Sequence, residues 1–184
     1  GVVYHDRNNN GRADAGEEPI AGVAVRLIDD TQQVAATAQT DGEGRYQFVN
    51  LRSGRYHVAE SQPAGYLDGT DAAGTIGGVT VGTADHPGDQ IRDIVLRWGD
   101  AGRDYDFGEL LPGSIAGRVH ADTDRDCVLD PDEQPLAGVT IELLDSSGRV
   151  AASTQTDAAG RYRFDGLAPG TYTVRERQPA GYFQ

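Results

Sequence analysis

The chain has 184 residues and a formal net charge of −13, with a mean hydropathy of −0.51. That charge argues against nucleic acid and anionic membrane surfaces, since both would repel it. No stretch approaches the roughly 18 apolar residues of a membrane span, so direct membrane insertion is not expected.

Val2–His5 reads as a short strand, and an acidic loop follows it: Asp6-Arg-Asn8-Asn-Asn10-Gly11-Arg12-Ala-Asp14-Ala-Gly-Glu17. Its spacing is that of a twelve-residue calcium loop. Calcium wants six to eight hard oxygens, and one short segment supplies them here. Asp6, Asn8 and Asn10 point side-chain oxygens inward, and Gly11 makes the sharp turn. Arg12 offers its backbone carbonyl, Asp14 acts directly or through water, and Glu17 closes bidentate. Further on, Val23, Val25 and Leu27 alternate with Ala24 and Arg26 as a strand should. No helix flanks the loop, so the coordination set sits on a β scaffold.

Tyr46 and Phe48, then Tyr56 and Val58, continue the alternation, and His57 falls on the solvated side of its strand. Leu67–Gly88 is Gly-rich and reads as a long loop or a small hairpin around Val79-Thr-Val81. Ile91–Trp98 and Arg103–Leu110 read as two further strands. Trp98 shares parity with Ile94 and Leu96, which assigns it to the core. Leu111-Pro-Gly113 is a short linker that leaves little freedom between domains, and Ser114-Ile-Ala-Gly117 opens the next strand.

A shift of 116 then superimposes Gly1–Asp68 on Gly117–Gln184 without a gap, a tandem repeat of a domain-sized unit. The second acidic loop offers Asp122, Asp124, Asp126, the Val128 carbonyl, Asp130 and Glu133 to a second calcium. It departs from the pattern once, at Cys127 in the glycine position, where positive φ costs a non-glycine residue about 1–2 kcal/mol. Five carboxylates in that loop repel one another unless a cation sits among them. The expected fold is all-β: two tandem prealbumin/Ig-like β-sandwiches, 1–111 and 112–184, the second truncated before its final strands. Missing final strands, together with the absence of methionine, favour an internal or processed piece of a longer array. Strand donation by a neighbouring molecule, or a last domain that ends differently, are the alternatives.

In combination these motifs resemble a known family. Asp-x-Asn-x-Asn-Gly with its closing Glu17, Thr40-Asp41…Gly44-x-Tyr46-x-Phe48, Gly54-x-Tyr56-x-Val58-x-Glu60, Pro63-Ala-Gly-Tyr66 and Asp106-Phe-Gly-Glu-Leu110 look like B domains of serine–aspartate repeat (Sdr) surface proteins. These are relatives of the collagen-adhesin (Cna) B-type domain. The resemblance implies a reversed immunoglobulin-type sandwich that uses calcium for rigidity and serves as a spacer, stalk or fibre unit. Many Cna B-type domains carry a lysine–asparagine isopeptide bond promoted by an acidic residue, and Glu60 and Glu176 stand in the matching context. All 16 basic residues here are arginine, so that bond has no lysine. The two glutamates are then expected to cap a strand end or pair with an arginine.

The functional expectation is a non-catalytic structural repeat, extracellular or on the cell surface. It would be joined head to tail to neighbouring repeats or copies of the same protein, with Ca2+ as its only cofactor. Millimolar calcium outside cells suits such loops. His5, His57, His86 and His120 share no metal-ligand spacing, and Cys127 is a poor nucleophile among carboxylates. An adhesin module binding a glycan or a host or matrix protein is the alternative. Asp29, Asp41, Asp145 and Asp157 are candidates for extra, weaker calcium sites, against a plainer reading as turn formers.

Overall fold

Which residues reach the core follows from strand alternation wherever two sheets face each other, and most of the first repeat shows it. The computed structural model describes residues 1–125 and 130–182. It divides into unit 1, Gly1–Leu111, and unit 2, Pro112–Gln184.

Unit 1 runs through β1 (Val3–His5), β2 (Ala24–Asp29), β3 (Val34–Gln39), β4 (Gly54–Glu60), β5 (Leu67–Asp68) and β6 (Thr75–Ile76). It continues with β7 (Val79–Thr80), β8 (Thr83–Ala84), β9 (Gln90–Leu96), β10 (Gly102–Arg103) and β11 (Phe107–Leu110). A five-stranded sheet has the order β3-β2-β4-β9-β8, and a three-stranded sheet has the order β1-β11-β5. In the latter, β1 and β11 run parallel, with Val3 opposite Phe107. Val25, Leu27, Tyr56, Val58, Ile91 and Ile94 of the first sheet meet Val3 and Phe107 of the second in one core. The hairpin expected around Val79 is present as β6–β7. Its two-residue turn, Gly77-Gly78, has φ of 60° and 82°, the primed turn that suits strand twist and that glycine adopts without strain.

Unit 2 repeats the opening of this plan with β12 (Gly113–Arg118), β13 (Thr140–Leu144), β14 (Val150–Gln155), β15 (Arg161–Leu167) and β16 (Thr173–Glu176). Its sheets are β14-β13-β16 and β12-β15, around a smaller core of Val119, Val139, Ile141, Leu143 and Phe164. Among the described residues β16 pairs only with β13, and all four of its residues are exposed. The equivalent β4 is hydrogen-bonded on both sides, by β2 and β9.

The structure corrects several expectations in unit 1: Tyr46–Phe48, expected as a strand, makes only an isolated bridge from Arg45 to Val2. Trp98 is not in the core but 88% exposed. β9 carries a bulge where Asp93 takes a φ of 60° and the register with β4 shifts. The strand then ends at Leu96. Beyond it Arg97–Asp100 forms a turn in which Asp100 donates its N–H to the Arg97 carbonyl at 3.2 Å. Parity carries no information past a strand end. Arg103–Leu110 is likewise not one strand. β10 and β11 are separated by a bend at Asp104, φ 61°.

Candidate metal centres

Each acidic loop leaves a strand end and returns to the same sheet. Loop one follows β1, and the His5 N–H binds the Glu18 carbonyl across its mouth at 2.8 Å. In unit 2, Ala121 does the same with Gln134 at 2.9 Å. Within this frame the closing glutamate is held in the same way in both units. Glu17 accepts the N–H of Arg7 (3.0 Å) and of Asp14 (2.9 Å). Glu133 accepts those of Thr123 (2.7 Å) and Asp130 (3.2 Å). The fourth residue of each loop turns left-handed, Asn9 at φ 55° and Arg125 at φ 68°.

In loop one Asp6 is fully buried and takes the N–H of Asn10 (3.2 Å) on one oxygen and that of Gly11 (2.7 Å) on the other. Gly11 has φ +71°, and a Cβ there would stand 2.9 Å from the Thr70 methyl. Asn8 and Asn10 donate their amide NH2 groups to Asp14 at 3.1 and 2.9 Å, and these bonds hold the Asp14 carboxyl below its usual range. As placed, the two amides turn N–H toward Asp14, and the Asn8 oxygen accepts the Asn10 N–H at 3.0 Å, so presenting an amide oxygen to a cation at that point requires giving up a backbone bond. Arg12 donates its N–H to Asn10 Oδ1 at 2.8 Å. Arg7 is drawn aside to Glu18, its Nε 3.0 Å from the carboxylate.

In loop two, Asp122, Asp124 and Glu133 each bring a carboxylate oxygen to within 4.8 Å of the others. That spacing suits ligands on one calcium, whose bonds are about 2.3–2.6 Å long. Glu133 is buried, and His120 Nε2 lies 3.5 Å from it. Asp126, Cys127 and Val128 lie outside the described residues.

A family model for the SdrD B-like domain matches residues 1–109 and again 113–184. The chain belongs to that family. Serine-aspartate repeat-containing protein D of Staphylococcus aureus is 34% identical over 183 residues, covering 98% of this chain and 13% of that protein. Protein F of Staphylococcus epidermidis is 33% identical over 190 residues, covering 98% and 10%. Protein C of Staphylococcus aureus is 35% identical over 182 residues, covering 99% and 19%. The chain thus spans less than a fifth of the length of these relatives. Among solved structures, a streptococcal ancillary pilin is similar at 21% identity and a TM-score of 0.42, over 93% of this chain and 53% of that one. The chain carries two repeats of an extracellular or cell-surface protein.

The four aspartates considered for extra calcium sites are occupied with their own turns. Asp29 accepts the N–H of Thr31 (2.9 Å) and Gln33 (3.0 Å). Asp41 accepts those of Glu43 and Arg45, Asp145 those of Ser147 and Arg149, and Asp157 those of Ala159 and Arg161. Sequence reasoning passed over a buried threonine clip. Thr40 Oγ1 accepts the Val23 N–H (2.9 Å) and donates to the Ile20 carbonyl (2.7 Å). Thr156 does so with Val139 (2.9 Å) and Leu136 (2.6 Å). The signal was present in both repeats as the Thr that precedes the Asp turn. The expectation that Glu60 caps a strand or pairs with an arginine is also corrected. Glu60 is 3% exposed, meets no N–H donor or basic side chain, and lies in hydrogen-bonding contact with the Glu109 carboxyl, the charges acting most on it being other carboxylates. Its counterpart Glu176 is exposed on β16.

Proposed function

We propose that this repeat is a calcium-stiffened structural spacer, with one ion held by Asp6, Asn8, Asn10, Arg12, Asp14 and Glu17. A second is held by Asp122, Asp124, Asp126, Val128, Asp130 and Glu133. The observation that carries this reading is the convergence of Asp122, Asp124 and Glu133 oxygens within 4.8 Å. The matched suspension of Glu17 and Glu133 from the second and ninth backbone N–H groups of their loops supports it. Bound there, calcium supplies the positive charge that clustered carboxylates lack and ties oxygens of one loop together. The protein's part is to fix the loop mouth to the sheet, so that closing the loop stiffens the sandwich edge.

Head-to-tail series of such units would then form a stalk, with neighbouring repeats or copies of the same protein as partners and no chemistry of their own to perform. Thermal unfolding with calcium and with a chelator tests this, and superimposable curves would refute it. One observation favours a second reading as an adhesin module. Exposed Trp98 borders a cleft of about 370 Å³ lined also by Tyr46, Phe48, Leu51, Tyr56 and Leu96, and an aromatic beside a cleft is a place where a sugar ring or peptide side chain stacks. Binding on a glycan array that Trp98→Ala abolishes would establish it.

A further inference from the structure

The two repeats differ along one sheet edge, and the difference leaves a groove in unit 1. In unit 2, β12 pairs antiparallel with β15: Gly113 stands opposite Leu167, Ile115 opposite Phe164, Ala116 opposite Arg163 and Gly117 opposite Tyr162. Unit 1 keeps only the inner end of this ladder. Val2 bridges Arg45, the Tyr46 N–H binds the Gly1 carbonyl at 3.0 Å, and the Gly1 amino group donates to the Tyr46 carbonyl at 3.2 Å. By the repeat offset of 116, the partners of Gln47, Phe48 and Leu51 are the four positions (117 − 113) ahead of Gly1. Residues 47–51 join no strand or bridge among the described residues.

That edge is already shaped for a strand. In unit 2 the register shifts between Gly113 and Ile115, and β15 accommodates its extra residue with Gly166 at φ 69°. Asn50, the counterpart of Gly166 (166 − 116), takes φ 57° with no strand opposite it. This is the left-handed turn a bulge uses, and asparagine tolerates it. Phe164, opposite Ile115, is buried, whereas its counterpart Phe48 is only partly covered and Val49 is 61% exposed. The space beside Phe48 is the cleft of about 370 Å³, and its lining includes Gly1, all of residues 47–51 and all of residues 96–102. Burial, ahead of any charge, holds the Gly1 amino group below its ordinary pKa, so the neutral nitrogen of a peptide bond suits that place better than an ammonium.

We propose that this cleft is a strand-acceptor groove, filled by an extended segment with the chemistry of Gly113-Ser-Ile-Ala116 that is joined to the Gly1 nitrogen and pairs antiparallel with residues 47–51. Its β-branched side chain lies against Phe48, as Ile115 packs on the core of unit 2, and its small residues let the backbone approach the edge. Strand addition of this kind draws affinity from main-chain hydrogen bonds and selectivity from alternate side chains. The source of the segment is the linker from a preceding repeat, which rests on the head-to-tail reading above. Within this chain only Leu111 and Pro112 separate β11 from β12. Such a linker is part of the sandwich it leads into, not a tether between sandwiches.

The test adds Leu-Pro-Gly-Ser-Ile-Ala, the sequence of residues 111–116, ahead of Gly1 in the whole chain, at one fixed calcium concentration. It is compared with the unextended chain and with the same extension carrying aspartate in place of its isoleucine. Gly1 and Tyr46 exchange both backbone bonds, so the next hydrogen-bonded rung, two residues on, is at Phe48. The extension is expected to slow amide exchange at Phe48 and to raise the melting transition of unit 1 while leaving that of unit 2 unchanged. It should also shift to the blue the emission of Trp98, the one tryptophan of the chain, which is 88% exposed on the cleft. The aspartate version should lose all three effects. Unchanged exchange at Phe48 overturns the groove, as does an aspartate version that matches the isoleucine one. The outcome is separable from that of the calcium test: Phe48 protected in a chain whose melting ignores calcium leaves the groove and removes the stiffening, and the reverse leaves the stiffening and removes the groove.

Discussion

Replacing Glu133 by glutamine separates what the metal does from what the glutamate does. Its side chain is 1% exposed and accepts two backbone N–H groups, from Thr123 and Asp130. Glutamine has one oxygen, so one of those donors is orphaned, at a cost of about 1–3 kcal/mol with no metal present. The informative quantity is therefore the increment calcium adds. A ligand at a hundredfold excess over its Kd adds about 2.7 kcal/mol to the folded form. Unit 1 spans 111 residues and unit 2 spans 73 (184 − 111). Unfolding entropy scales with length, so that increment raises Tm by about 12 °C in unit 1 and about 18 °C in unit 2. Calorimetry of the wild type should show two calcium-dependent transitions. In Glu133→Gln the lower-enthalpy transition, that of unit 2, loses most of its increment, while the other keeps its own. Retention of the full unit 2 increment would refute the assignment of Glu133 as a ligand.

Further outcomes follow from the geometry. Thr156→Val removes both bonds of the buried hydroxyl and should cost unit 2 about 1–3 kcal/mol by urea titration. Gly44→Ala puts a Cβ 2.5 Å from the Val3 carbonyl at φ +70° and should cost at least about 2 kcal/mol. Gly42→Ala, with nothing within 4 Å, should stay within about 0.5 kcal/mol. Trp98→Ala should also change stability by less than about 0.5 kcal/mol, whereas Phe107→Ala, fully buried, should cost about 3–5 kcal/mol. Glu142 is held below its usual carboxylate range by bonds from Arg177 and Arg175. That stability is present above the unfolded value near about 4.3 and is lost as pH falls through the lower folded one, so Glu142→Gln should flatten the acid limb of unit 2 unfolding.

Much of this fold was legible because the repeat is printed twice. Val23, Val25 and Leu27 are buried as their alternation required, and the two loops were set by spacing alone. What sequence could not give is where a strand stops. Trp98 kept the right parity for the core, but β9 ends two residues before it. Tyr46 and Phe48 alternate as clearly as Tyr162 and Phe164, yet in unit 1 that segment makes only an isolated bridge from Arg45 to Val2, while in unit 2 it is the full strand β15. Nor do Glu60, Asp71 and Glu109 form a motif. They are 11 (71 − 60) and 38 (109 − 71) residues apart, and only the pairing of β11 with β5 brings two of their neighbourhoods together.

Glu60 and Glu176 stand in identical motifs but in different surroundings. Both stand in Glu-x-x-Pro-Ala-Gly-Tyr, and both end a strand hydrogen-bonded to the strand after their loop. β4 has β9 on its other side, and Glu109, Asp71 and Asp89 act on its last residue, so Glu60 is buried without a counter-charge. Among the described residues β16 has nothing on that side, and Glu176 stays in water. With 29 acidic residues against 16 basic ones, the latter all arginine, the chain has no lysine for a covalent cross-link that Glu60 could promote. Its arginines pair elsewhere, Arg55 with Asp93 and Arg175 and Arg177 with Glu142. A buried excess of carboxylate in such a chain draws its balancing charge from solvent.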